Sequence, residues 1–478
     1  MLGDVVVLTR RSFDNGAAQT APNTLSARVD PSVEVDTRRL RRRVIDLSGP
    51  ALVEMVLVSF VGVVDMIMVG RIGPAAIAAV GLTNQPMFIA MAVFQALNVG
   101  TTALVARFIG ARDPAEASRT AQQSLLITVI LGLILSILSY WASPWVIAAM
   151  GAEPDTLPLG ISYFQIVSLG IAFMAVSLCV ASVLRGVGDT KTPMKVNVVA
   201  NLVNCVGNYI LIYGKLGFPA YGVVGAAAAT TISRVVAAVL MLGSVLRKDS
   251  MIKLGPIREF RLRLDLIKRV VNIGIPSAVE QFVFRVVQLI YVRIVAGLGT
   301  VVLAAHQIGM NILSLSFMPG QAFSMAATTL VGQALGARKP EAAEKCALET
   351  RRLGMIISGA MTVVLFFFGE RIARLYTADL EVARRTAMVL RIIGLVQPAQ
   401  STQFILSGAL RGAGDTKWPL YSSLVGIWGV RVVFGYTFTR LLNLGLFGAW
   451  LAMALDQLAR SVVIFTRFRS GGWKTARV

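Results

Sequence analysis

PALVEMVLVSFVGVVDMIMVGRIG, residues 50–73, is long and apolar enough to cross a bilayer, yet it holds two carboxylates, Glu54 and Asp65. A spanning helix needs about 20 apolar residues. Charge at membrane depth is costly, so it faces a protein interior or a wet cavity and marks a functional path. The stretch predicts a polytopic helical membrane protein. A transporter is the reading that follows, with Asp65 as the candidate ion-coupling residue.

Composition agrees. The chain has 478 residues, of which 55% are hydrophobic and 15% charged, against about 25% charged in soluble proteins. The formal net charge is +21. The bases lie in short connections between apolar runs, not along a groove with interleaved aromatics, so a nucleic-acid partner is not expected. Three scattered cysteines and one histidine, His306, argue against a disulfide framework or a Cys/His metal site. No GxxxxGK[ST] loop is present, so ATP is not the expected direct energy source. No Ser/His pair or metal cluster points to an embedded enzyme.

Twelve spans are expected, near 49–70, 77–108, 121–149, 158–184, 193–213 and 221–246, then 270–297, 302–332, 350–370, 383–410, 418–440 and 444–467. Basic residues concentrate in alternate connections, such as Arg107 to Arg119, Arg185 to Lys195 and Arg338 to Lys345. The positive-inside rule then places both termini and the central link in the cytoplasm. The expected domains are a basic cytoplasmic tail at 1–44, a first lobe at 45–246, a cytoplasmic linker at 247–269, a second lobe at 270–467 and a cytoplasmic tail at 468–478. The expected setting is the plasma (inner) membrane.

The second half repeats the first. LRGVGDT at 184–190 returns as LRGAGDT at 410–416, PALVE at 50–54 as PSAVE at 276–280, and GARDPAEA at 110–117 as GARKPEAA at 336–343, each copy 226 residues after its mate. An even number of spans per half gives both halves one orientation. The repeats are therefore parallel, about an axis along the membrane normal.

The doubled RG(V/A)GDT turn, the P-x-x-x-E starts of the first and seventh helices and VVDMIMVGRIGPAAIAAVG together resemble the multidrug and toxic compound extrusion (MATE) family, over nearly the whole chain after the basic tail. The resemblance implies an all-α, V-shaped pair of six-helix lobes around a central cavity. It implies antiport of organic, often cationic compounds against protons or sodium, with no cofactor beyond the coupling ion. It also implies that Asp65 is a coupling residue assisted by polar groups on the fifth helix. A flippase for a lipid-linked saccharide is the alternative on a similar frame. A monomer embedded in the lipid bilayer is the expected state.

Asn204 and Asn208 on the fifth helix share one face and stand at a level similar to Asp65. A carboxylate faced by two amides can hold a proton or a sodium ion, so Na+ at Asp65, Asn204 and Asn208 is a possible ion site. Many relatives carry Asp where this chain has Asn208, which lowers the negative charge of the site. Glu54, Glu280, Gln281 and Gln400 are candidates to line the cavity, the two glutamates alternatively reaching the inner interface. Tyr291 is the repeat mate of Asp65, so the polar triad exists in the first lobe alone. Asp189 and Asp415, in the GDT turns, are expected to pair with Arg185 and Arg411. Arg285, Arg293, Arg431 and Asp456 read as structurally paired or snorkelling, and His306 as packed.

Overall fold

Proline and glycine punctuate the helices where the sequence requires. The computed structural model describes residues 37–247, 251–253 and 262–476. Helix α1 (Thr37–Gly70) is followed by α2 (Pro74–Gly110), α3 (Pro114–Ala149), α4 (the bent pair Leu157–Leu169 and Ile171–Val187), α5 (Lys191–Tyr213) and α6 (Gly222–Val245). The second half holds α7 (Leu264–Ala296), α8 (Thr300–Gly336), α9 (Pro340–Arg374), α10 (Leu380–Gly412), α11 and α12 (Gly445–Arg469). α11 begins as Lys417–Ser423, and π-helical turns at Leu424–Val432 and Thr437–Leu441 flank the short α-helical stretch Val433–Tyr436. The fold is two six-helix lobes, with no strand among the described residues.

Eight of these helices are individually long and apolar enough to cross a membrane, and nine if the bent pair is one span. The remainder are interrupted: α7 by Glu280, Arg285 and Arg293, α10 by a run of glutamines, α11 by its π turns. Large apolar side chains such as Phe60, Leu138, Trp141 and Phe367 stay exposed along the helices. Lipid, as apolar as these side chains, accounts for that surface.

The basic tail expected at 1–44 falls mostly outside the described residues, as does much of the linker and the end of the second tail. Its last part is not a tail: α1 starts at Thr37, and Leu40, Val44 and Leu47 pack into the core of the second lobe. Arg41 pairs with Glu349 at 3.1 Å and Arg43 donates to Gln333 at 2.8 Å. At the other terminus, a short 3-10 turn (Gly472–Thr475) buries Trp473 completely. Its ring stacks on Phe468 at 5.0 Å, and its Nε1–H donates to the Phe468 carbonyl at 2.8 Å. Arg107 of the first lobe donates to the Ala476 carbonyl at 3.0 Å.

The repeat is visible in the contacts as well as the sequence. Gly188 and Gly414, mates in the GDT turns, both take positive φ, at 103° and 84°. Thr102 donates to the Ser182 carbonyl at 3.0 Å and its mate Thr328 to that of Gly408 at 2.9 Å. α2 and α8 cross between the lobes with matched contacts. A Cβ on Gly110 would collide with the Gln333 carbonyl, and one on its mate Gly336 with that of Arg107. Gly336→Ala is therefore expected to cost about 1–3 kcal/mol by forcing apart two backbones. The apparent melting temperature of the purified protein in detergent should fall. Gly359→Ala, with nothing within 4 Å of the new methyl, should leave it unchanged.

α4, expected as one continuous span, bends by 44° at Gly170. Carbonyls at the break find partners on α6: Thr231 donates to Ile166 at 2.9 Å, and Arg234 donates to Val167 at 3.2 Å beside the Gly170 amide at 3.0 Å. Unpaired backbone groups would be costly there.

Candidate functional site

Asp65 lies on α1 within the first lobe, half-buried against α5. Tyr213 ties the two helices together just above it, its hydroxyl donating to the Met68 carbonyl at 2.9 Å. One turn apart on α5, Asn204 and Asn208 are buried, Asn208 to 1% exposure. Asn208 Nδ2 donates to Asp65 Oδ1 at 2.7 Å. Asn204, turned so that its nitrogen and not its oxygen meets the carboxylate, donates to Oδ1 at 2.8 Å and Oδ2 at 3.1 Å. The three residues that sequence spacing placed on facing helices thus meet at one point.

Two further groups extend this cluster. Thr230 of α6 lies with its Oγ1 3.4 Å from the Asn204 amide. Tyr163 of α4 is buried in the same first-lobe core, with Val69 of α1 and Ile212 of α5. Neither was singled out from the sequence. Arg234, a lone base inside the apolar run of α6, was the available signal, because an ionisable residue in a span is rarely idle.

The donor set suits a small cation. The carboxylate and the two amide side chains are hard oxygen ligands when the amides turn outward. Asn208 Oδ1 is buried with no hydrogen-bond partner, an acceptor in surplus beside the carboxylate. No cluster of three His, Cys, Asp or Glu side chains occurs among the described residues, so a transition-metal site has no ligands there.

The glutamates stand elsewhere. Glu54 accepts from Arg185 and from Asn197, each at 2.7 Å. Its mate Glu280 accepts from Arg411 at 2.6 Å and Ser423 at 2.9 Å. All three positions in each set are related by the repeat. This corrects the expected pairing of Arg185 and Arg411 with the GDT aspartates. Asp189 instead caps α5 through the Lys191 and Thr192 amides, both at 3.0 Å, and Asp415 pairs with Arg467 at 2.8 Å. The physical reason is length: an arginine at the end of a helix reaches across to the neighbouring helix more readily than back over its own turn. Glu54 lies 11 residues below Asp65 on α1, about 16 Å at 1.5 Å per residue, so the two acids are separate features.

Gln281 is exposed on α7, whereas Gln400 is buried among α8, α9 and α10 beside a small cavity lined by Ser316, Gly354, Ser358 and Gln397. The two glutamines do not join the Asp65 cluster. In the second lobe, Tyr291 donates to the Ala449 carbonyl, and His306 packs between Tyr291 and Trp450. Asp456, fully buried, is shared by Arg431 and Arg460, with Nε of each at 2.9 Å.

The MatE family model matches residues 50–210 and 276–437, the two halves of the repeat. Among curated proteins, the chain is 32% identical over 449 residues to the probable multidrug resistance protein NorM of Thermotoga maritima, covering 92% of this chain and 94% of the relative. It is 25% identical to the multidrug resistance protein MdtK of Proteus mirabilis, covering 89% and 94%. Among solved structures, a MOP superfamily transporter from Pyrococcus furiosus superposes with a TM-score of 0.84 at 26% identity, over 92% of this chain and 98% of that one. An outward-facing multidrug resistance MATE family transporter gives 0.84 at 25% identity, over 93% and 100%.

Proposed function

This chain belongs to the MatE family and is a multidrug efflux transporter of the membrane, not an enzyme, and from that premise we propose that it is a secondary antiporter. It exports organic, often cationic and amphipathic compounds in exchange for protons or sodium, as a monomer in the plasma membrane with both termini in the cytoplasm. The observation that carries the proposal is Asp65 held by two amides of the neighbouring helix, in the first lobe alone.

The chemistry follows from charge. An ionised carboxylate away from bulk water is disfavoured, and a proton removes that cost while a bound cation offsets it. Either event changes what Asp65 asks of Asn204 and Asn208, and so biases the packing of α1 against α5. A site that differs in occupancy between two lobe arrangements shifts their populations, which is what alternating access requires. With Asn at position 208, the triad holds at most one negative charge. One monovalent cation neutralises it.

The test is export of a cationic dye from proteoliposomes under separately imposed proton and sodium gradients. One gradient should drive export and the other should not. Export insensitive to both gradients would overturn antiport.

A further inference from the structure

We propose that Arg285 on α7 is the residue that recognises an anionic group, most simply a carboxylate, on the exported molecule. The inference rests on the transporter reading above and names a specificity-determining residue for it.

Arg285 stands near the middle of α7, and it is exposed. Its guanidinium lies 4.5 Å from the ring centroid of Phe88, on α2 of the opposite lobe. Among the described residues no carboxylate forms an ion pair with it; its polar partner is Gln288 on the same helix, at 3.5 Å. A guanidinium at this depth facing hydrocarbon would be strongly disfavoured, so such residues face water-filled space inside the protein.

α2 and α7 meet across the lobes at two levels. The two helices touch backbone to backbone lower down: a Cβ on Gly100 would collide with the Val270 carbonyl, and one on Gly274 with that of Ala96. Eleven residues further along α7, about 16 Å on, the long side chain of Arg285 reaches Phe88 of the same pair. Arg285 thus lies between the lobes, beyond their backbone contact at Gly100 and Gly274. Gln281, Arg285 and Gln288 form a polar stripe at i, i+4 and i+7 on α7, one helix face. On α2, Gln85 and Gln95 are exposed along with Phe88. A cationic fork beside an aromatic face, flanked by amides, matches a flat aromatic acid: the guanidinium takes the carboxylate bidentately and the ring stacks. Asp65, at a separate position in the first lobe, remains available for the coupling cation.

Rhodamine B and its ethyl ester share one cationic ring system and differ in a free carboxylate, so they isolate the anion. The full-length protein is measured with both, by fluorescence polarisation in detergent and by export from proteoliposomes. Wild type should prefer the acid, and Arg285→Gln should reduce the acid-to-ester ratio of affinities about tenfold, the scale of one charge-assisted hydrogen bond. Arg285→Lys, which keeps a cation there, should retain most of the preference and guards against a variant that merely misfolds. An unchanged ratio in Arg285→Gln, or binding of neither dye by wild type, overturns the assignment. Binding with the expected ratio but no gradient-driven export would instead remove the antiport reading and leave Arg285 in place.

Discussion

Asp65→Asn is expected to lower gradient-driven export by about 100-fold, the upper end of a coupling free energy of 1–3 kcal/mol. The substitution is nearly isosteric. It keeps the contact with Asn208, 2.7 Å from Oδ1 in the wild type, and removes the only formal charge of the triad. Folding should be preserved, and dye binding in the absence of a gradient should survive. The measurement pairs export under the driving gradient with equilibrium dye binding. Wild-type export by Asp65→Asn would take this residue out of the mechanism. Asn208→Asp gives the converse: two carboxylates in contact cannot both ionise without a shared proton or a cation. That variant should keep export and take up more cation per cycle, read from the reversal potential.

Asp456→Asn should be the most destabilising single change in the second lobe, at about 3–5 kcal/mol. The aspartate is fully buried and is shared by two guanidinium groups, from Arg431 on α11 and Arg460 on α12. Removing it leaves two buried positive charges facing each other. Removing either arginine leaves a neutral pair, so Arg431→Leu and Arg460→Leu should each cost less than Asp456→Asn. Apparent melting temperatures in detergent order the three variants. An Asp456→Asn protein as stable as either arginine variant would show that the charges are not coupled as their geometry implies. Gly426 fits this arrangement, since a Cβ there would run into both Arg460 and Asp456.

Most of the architecture could be read in advance because lipid imposes a simple rule: long apolar runs, interrupted where the chain turns. The 226-residue offset identified which residues are mates, though not which contacts they make. The Glu54 and Glu280 clusters are mates at all three positions, though their partners were misassigned. Arg185 and Asp189 are four residues apart, whereas Arg185 and Glu54 are 131 residues apart, and pattern reading favours the nearer pair. The Asp65 triad was legible because i, i+4 amides point one way on a helix. Thr230 and Tyr163 were not, because a threonine in an Ala-rich span and a tyrosine near a helix start carry no periodic mark. The π turns of α11 were hidden for a similar reason: apart from Arg431, LVGIWGVRVVFGY is apolar throughout, so no period can be read. The break in α4 shows in sequence only as one glycine among many, and its meaning comes from Thr231 and Arg234 opposite.

The seated Trp473 makes the chain terminus a working part of the joint between the halves. Its indole is a peg in one lobe, while three residues on, the Ala476 carbonyl is held by an arginine of the other. Any swing that parts the halves at this end must first unhook that strap or drag the peg with it. A reporter spliced directly after Arg469 would delete the strap altogether, and a rate measured on such a fusion would describe a hinge with one of its fastenings removed.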